Sequence, residues 1–86
     1  MHGLTAQDLR ILAALNDVHA DPAYDAAGLS LAQLIDMTRL AADVATTSLS
    51  RLKALGLIHH SLDEEKHLNA HRWRISDRGR VLTERD

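Results

Sequence analysis

Cysteine is absent from these 86 residues, which excludes a disulfide framework and any thiolate ligand or nucleophile. Phenylalanine is absent too, and there is one tryptophan and one tyrosine. A core so poor in aromatics must be filled by Leu, Ile, Val, Ala and Met, which favours close-packed helices over a broad sheet. No run approaches the ~20 apolar residues that a membrane-spanning helix needs. The opening MHGLTAQDLR lacks the basic start and unbroken apolar stretch of a signal peptide, so a cytoplasmic chain with no membrane partner is expected. The sequence shows no Gly-rich phosphate loop, nucleophile elbow or paired buried carboxylates. Neither an enzyme nor a cofactor is therefore expected. A chain of this length is expected to make one domain, residues 1–86, burying roughly 60–65% of its unfolded surface.

Excess positive charge is missing as well: ten Lys and Arg face twelve Asp and Glu, for a net charge of -2. Nucleic-acid binding draws on phosphate neutralisation by basic side chains, so the average counts against it. The distribution does not. Residues 1–38 carry Asp8, Asp17, Asp21, Asp25 and Asp36 against Arg10 alone, whereas residues 39–86 carry nine basic side chains against seven acidic ones. His59, His60, His67 and His71 lie in the same basic half and add charge when protonated.

What is present is a series of helix start and stop signals. Thr5 followed by Asp8, flanked by Leu4 and Leu9, predicts a capping box with a hydrophobic staple and a helix over about 5–20. Its apolar stripe is Ile11, Leu12, Leu15, Val18 and His19, and Pro22 ends it. The stretch ADPAYDAAG reads as a surface connection. Ser30 and Gln33, with Leu29 and Leu34, repeat the capping signal for a short helix over about 30–37. Thr38-Arg39-Leu40 is then a tight turn into the longest helix, about 41–55, which Gly56 stops. On that helix Ala41, Ala45, Ser48, Leu49 and Leu52 are expected inside, with Asp43, Thr47, Ser50 and Ala54 outside, flanked by Thr46 and Arg51. Leu57–Leu62 and His71–Ile75 read as the two strands of a hairpin over about 57–75. His71, Trp73 and Ile75 are expected to face inward, Arg72 and Arg74 outward. Ser76 caps a last helix over about 77–84, which Gly79 weakens by roughly 1 kcal/mol.

The order helix, helix, turn, helix, hairpin, short helix describes a mainly α fold with a small β-hairpin. LSRLKALGLI followed by WRISDRGRVL resembles the winged helix-turn-helix of MarR- and PadR-type bacterial transcriptional regulators. The matching positions are Leu52, Gly56, Leu57 and Ile58 at the end of the third helix, and Ile75-Ser76-Asp77-Arg78-Gly79 where the wing returns. Leu34 also stands eighteen residues before Leu52, as in many bacterial helix-turn-helix domains. The resemblance implies double-stranded DNA as partner and leaves a homodimer or a partner protein open. Carried onto this chain, it implies reading residues Thr46, Thr47, Ser50 and Arg51 on the third helix. Arg39 would lie in the turn and Lys53 near phosphates, and Lys66, His67, Arg72 and Arg74 would serve the wing.

Each feature has a plainer alternative. Hydroxyls on an exposed helix bond water or their own backbone, and Arg72 and Arg74 could pair with Asp63, Glu64 and Glu65. Only Arg51 among the helix residues can grip guanine with two hydrogen bonds. Four histidines in one hairpin could converge on a divalent metal, but no carboxylate–histidine motif accompanies them, so no metal is expected. Trp73 is expected to anchor the hairpin on the core rather than stack on a base. The expected function is sequence-preferring DNA binding by a transcriptional regulator. The competing one is a winged-helix module that binds another protein.

Overall fold

The structure, a computed structural model, describes residues 3–24, 28–63 and 70–85. Four helices and a hairpin follow one another as α1 (Ala6–Val18), α2 (Leu31–Thr38), α3 (Ala42–Ala54), β1 (Ile58–Asp63), β2 (Ala70–Ile75) and α4 (Asp77–Arg85). This is the α+β architecture read from the sequence.

Three of the four helices begin where a side chain can take up orphan backbone N–H groups. Thr5 Oγ1 accepts from Asp8 N–H while Thr5 N–H donates to the Asp8 carboxylate, and Ser30 and Gln33 do the same for α2. Ser76 Oγ accepts from Gly79 N–H and donates to the Gly56 carbonyl, so one hydroxyl caps α4 and fixes it to the end of α3. That end is a Schellman motif: Leu57 N–H reaches Leu52 O at 3.0 Å and Gly56 N–H reaches Lys53 O at 3.0 Å. α3 has no side-chain cap, because Ala41 holds that position. Asp43 in the first turn offers the compensating negative charge.

Ile11, Leu12, Leu15, Leu29, Leu34 and Leu52 are fully buried at the centre of one hydrophobic cluster. Each contributes about 1.5–3 kcal/mol of burial. Trp73 is half-buried against the cluster and anchors the hairpin, as expected. Some sequence expectations shift. α1 stops at Val18, leaving His19 exposed, and Ala41 is exposed rather than inside. Leu9 remains 41% exposed.

β1 and β2 pair antiparallel, Ile58 with Ile75 and His60 with Trp73. The far edge of β2 is also used, for Leu29 and Trp73 exchange both backbone hydrogen bonds, at 2.8 and 2.9 Å. The segment read as a connection therefore ends by docking on the hairpin. Gly28 makes this possible. Its φ is +111°, and a Cβ there would lie 2.0 Å from the Trp73 carbonyl oxygen. Gly79 has a comparable reason, since its Cβ would lie 2.2 Å from Leu57 O. The residue that lowers helix propensity is the one that lets α4 sit against the chain entering the hairpin.

Candidate nucleic-acid interface

The turn between α2 and α3 is built by polar contacts that a helical wheel does not show. Thr38 Oγ1 donates to Leu34 O at 2.6 Å, and Arg10 on α1 donates from Nη2 to Thr38 O, satisfying a carbonyl that the helix end leaves free. Arg39 follows in the left-handed region, with φ of +62° and its N–H on Ile35 O. Its side chain is exposed.

α3 leaves this turn with Ala45, Ser48, Leu49 and Leu52 buried and Asp43, Thr46, Thr47, Ser50, Lys53 and Ala54 exposed. The outward face is thus the one the wheel predicts. Thr46 Oγ1 donates to Ala42 O at 2.8 Å and Thr47 Oγ1 to Asp43 O at 2.9 Å. The hydroxyls keep their lone pairs outward, so in this arrangement they offer acceptors.

Arg51 stands differently from the expectation of a free outward side chain. Its Nη1 lies 2.9 and 2.8 Å from the two oxygens of Asp8, a carboxylate with no exposed surface. Burial by itself would raise the Asp8 carboxyl. Hydrogen bonds from Ser48, Arg51 and the Thr5 N–H, together with the Arg51 charge, more than offset this and hold it below its usual 3.8. That pair commits Nη1 to the carboxylate and ties the guanidinium to α1, leaving Nη2 and Nε as its remaining donors. The sequence flagged Asp8 only as an unusual Asp in a capping box. Nothing local announces a partner 43 residues away.

On the hairpin, Arg74 is exposed as expected. Arg72 is only half exposed and its Nη1 reaches Gln33 Oε1 at 3.3 Å, which draws it toward the start of α2. Lys66 and His67, together with Glu64 and Glu65, lie outside the described residues. The opposite face of the hairpin turns toward α3, where His60, His71 and Trp73 meet Thr46, Ser50 and Lys53 around a cleft of about 250 Å³. The sequence named His60 and His71 as added charge and as candidate metal ligands but not among the DNA-contacting residues, although strand alternation places them beside Trp73. His59 points to the other face, so among the described residues His59, His60 and His71 do not converge on one point. Among the described residues no group of three metal-binding side chains occurs, and no helix is long and apolar enough to cross a membrane.

No protein-family model and no curated protein matches the chain in sequence. Solved structures do match. A MarR-family transcriptional regulator of Silicibacter pomeroyi superposes with a TM-score of 0.77 at 25% identity, over 96% of this chain and 49% of that one. The fold is the winged helix of MarR-type regulators. A candidate DNA-binding protein of Ralstonia eutropha matches at 0.76 and 18% identity, with 96% of both chains covered. MepR of Staphylococcus aureus in its DNA complex matches at 0.76 and 17%, over 95% of this winged helix and 60% of MepR. The chain thus spans about half the length of the MarR-type proteins it resembles.

Proposed function

We propose that residues 1–86 act as one winged-helix unit that binds double-stranded DNA as a transcriptional regulator, a binding protein and not an enzyme. α3 would enter the major groove, with the hairpin gripping the backbone beside it. One observation carries the reading: Thr46, Ser50 and Lys53, exposed on α3, also line the cleft that this helix shares with the hairpin. A helix face and a wing that open on one side can meet the same duplex. The fold shared with a MepR–DNA complex supports this use of the surface.

Within this reading Thr46, Thr47 and Ser50 face base edges, while Arg39, Lys53 and Arg74 face phosphates, joined by Lys66 and His67 on the wing. Arg72 has a smaller part because of its contact with Gln33, and Arg51 positions α3 through Asp8 instead of reading bases directly.

Anisotropy titration with random duplex at low salt tests the proposal. Binding that weakens steeply with salt is expected, and selection from random fragments should then return a preferred site. Thr47→Val should lower affinity for that site more than for random DNA, whereas Arg74→Ala should lower both alike and reduce the salt slope by about 1. Failure to bind any duplex at micromolar protein would replace this reading with a protein-interaction module.

A further inference from the structure

We propose that the cleft between α3 and the hairpin is a phosphodiester site whose affinity is linked to protonation of the His60–His71 pair, with Lys53 supplying the permanent charge. The inference rests on the DNA-binding reading and adds a site and a proton to it.

The geometry comes first. His60 Nε2 and His71 Nδ1 lie 2.8 Å apart, with ring centroids 5.0 Å apart and planes 18° from parallel. Two ring nitrogens at that distance need one proton between them, one nitrogen donating and the other accepting. If both carried protons, the pair would repel. The groups facing it explain why a second proton is unwelcome in the free protein. α3 contributes Lys53, a fixed cation, along with the uncharged Thr46 and Ser50, and β2 contributes Trp73. No carboxylate lines the cleft among the described residues. Accordingly, burial first, then the Lys53 charge and His71, push His60 below its ordinary 6.5.

An anion in the cleft reverses this balance. A phosphate oxygen near Lys53 compensates the charge that opposes imidazolium and can accept its N–H, and the Trp73 ring, 5.2 Å from His60, gives the cation a π face. A group whose pKa is depressed in the free protein and restored in the complex takes up a proton on binding. Affinity then rises as pH falls through the interval between the two values and is level above it. The cleft adjoins Thr46 and Ser50, so the strand it holds is the one flanking the bases that α3 meets.

The experiment is an anisotropy titration of the full chain with one duplex at constant ionic strength, from about pH 8 to 5.5, a range that spans ordinary histidine titration. The wild type should gain about three- to tenfold in affinity below pH 6.5, approaching tenfold per pH unit for one linked proton. Calorimetry in two buffers of different ionisation enthalpy should report the same uptake. With His67 of the wing replaced by Gln in every protein compared, so that it adds no slope of its own, His60→Gln/His71→Gln should lose the pH slope and the uptake, with circular dichroism confirming the fold. His59→Gln, on the opposite hairpin face, should keep the slope. A slope that survives in the double variant overturns this inference and leaves DNA binding intact. Absence of binding at every pH overturns both.

Discussion

The Arg51 guanidinium places Nη1 2.9 and 2.8 Å from the two carboxylate oxygens of Asp8 and so ties α3 to the first turn of α1. Asp8 serves two elements at once, since the same carboxylate also accepts the Thr5 N–H of its own capping box. Arg10 binds the end of α2 from the same helix. Two arginines of a chain with few positive charges to spare are thereby used to hold the helix-turn-helix in place.

Arg51→Ala should therefore act on stability before it acts on binding. It leaves a fully buried carboxylate without its cationic partner, at an expected cost of about 1–3 kcal/mol. Urea denaturation checks this, and a cycle with Asp8→Asn should show non-additivity of about 0.5–3 kcal/mol. An unchanged midpoint together with weaker DNA binding would return Arg51 to the base-reading set.

The same pair predicts an acid limb. Asp8 is held below its ordinary 3.8, and a carboxyl depressed on folding contributes stability that is fully present above the ordinary value and lost as pH falls through the folded one. Neutral pH should leave this contribution untouched. Below pH 3.8 the wild type should lose it progressively, and Asp8→Asn should show a shallower fall across that window when midpoints are compared.

Gly79→Ala reverses the usual expectation for a helix. Propensity alone favours alanine by about 1 kcal/mol. The added Cβ would meet Leu57 O at 2.2 Å and Ile75 Cγ1 at 2.8 Å, so the melting temperature should fall. A rise would mean that α4 can move away from Leu57 at little cost.

Arg39→Gly should separate stability from binding. The left-handed backbone at φ +62° costs an ordinary residue about 1–2 kcal/mol, and glycine gives back part of the gain through the unfolded chain. A net stabilisation of about 0.5–1 kcal/mol is expected, accompanied by weaker DNA binding and a salt slope reduced by about 1. Loss of stability would show that the Arg39 side chain holds the turn.

What could be read from the sequence was local. Thr5, Ser30 and Ser76 announce helix starts because a hydroxyl or its capping partner needs only neighbours three residues away, and Gly56 announces a stop for the same reason. The 3.6-residue period placed Ala45, Ser48, Leu49 and Leu52 inside α3 and left Thr46, Thr47 and Ser50 outside. The fold class, the wing and the hydroxyl face of α3 follow from these signals. The tertiary structure alone decided which charges remain available, because Arg51 meets Asp8, Arg72 meets Gln33 and Leu29 meets Trp73 only after distant segments pack. It also turned Gly79 from a weak helix residue into a contact requirement and brought His60 against His71 across the strands. The physical reason is range. Capping and periodicity act within a turn or two of chain, whereas ion pairing, close backbone approach and cross-strand imidazole contact depend on distances that sequence separation does not encode.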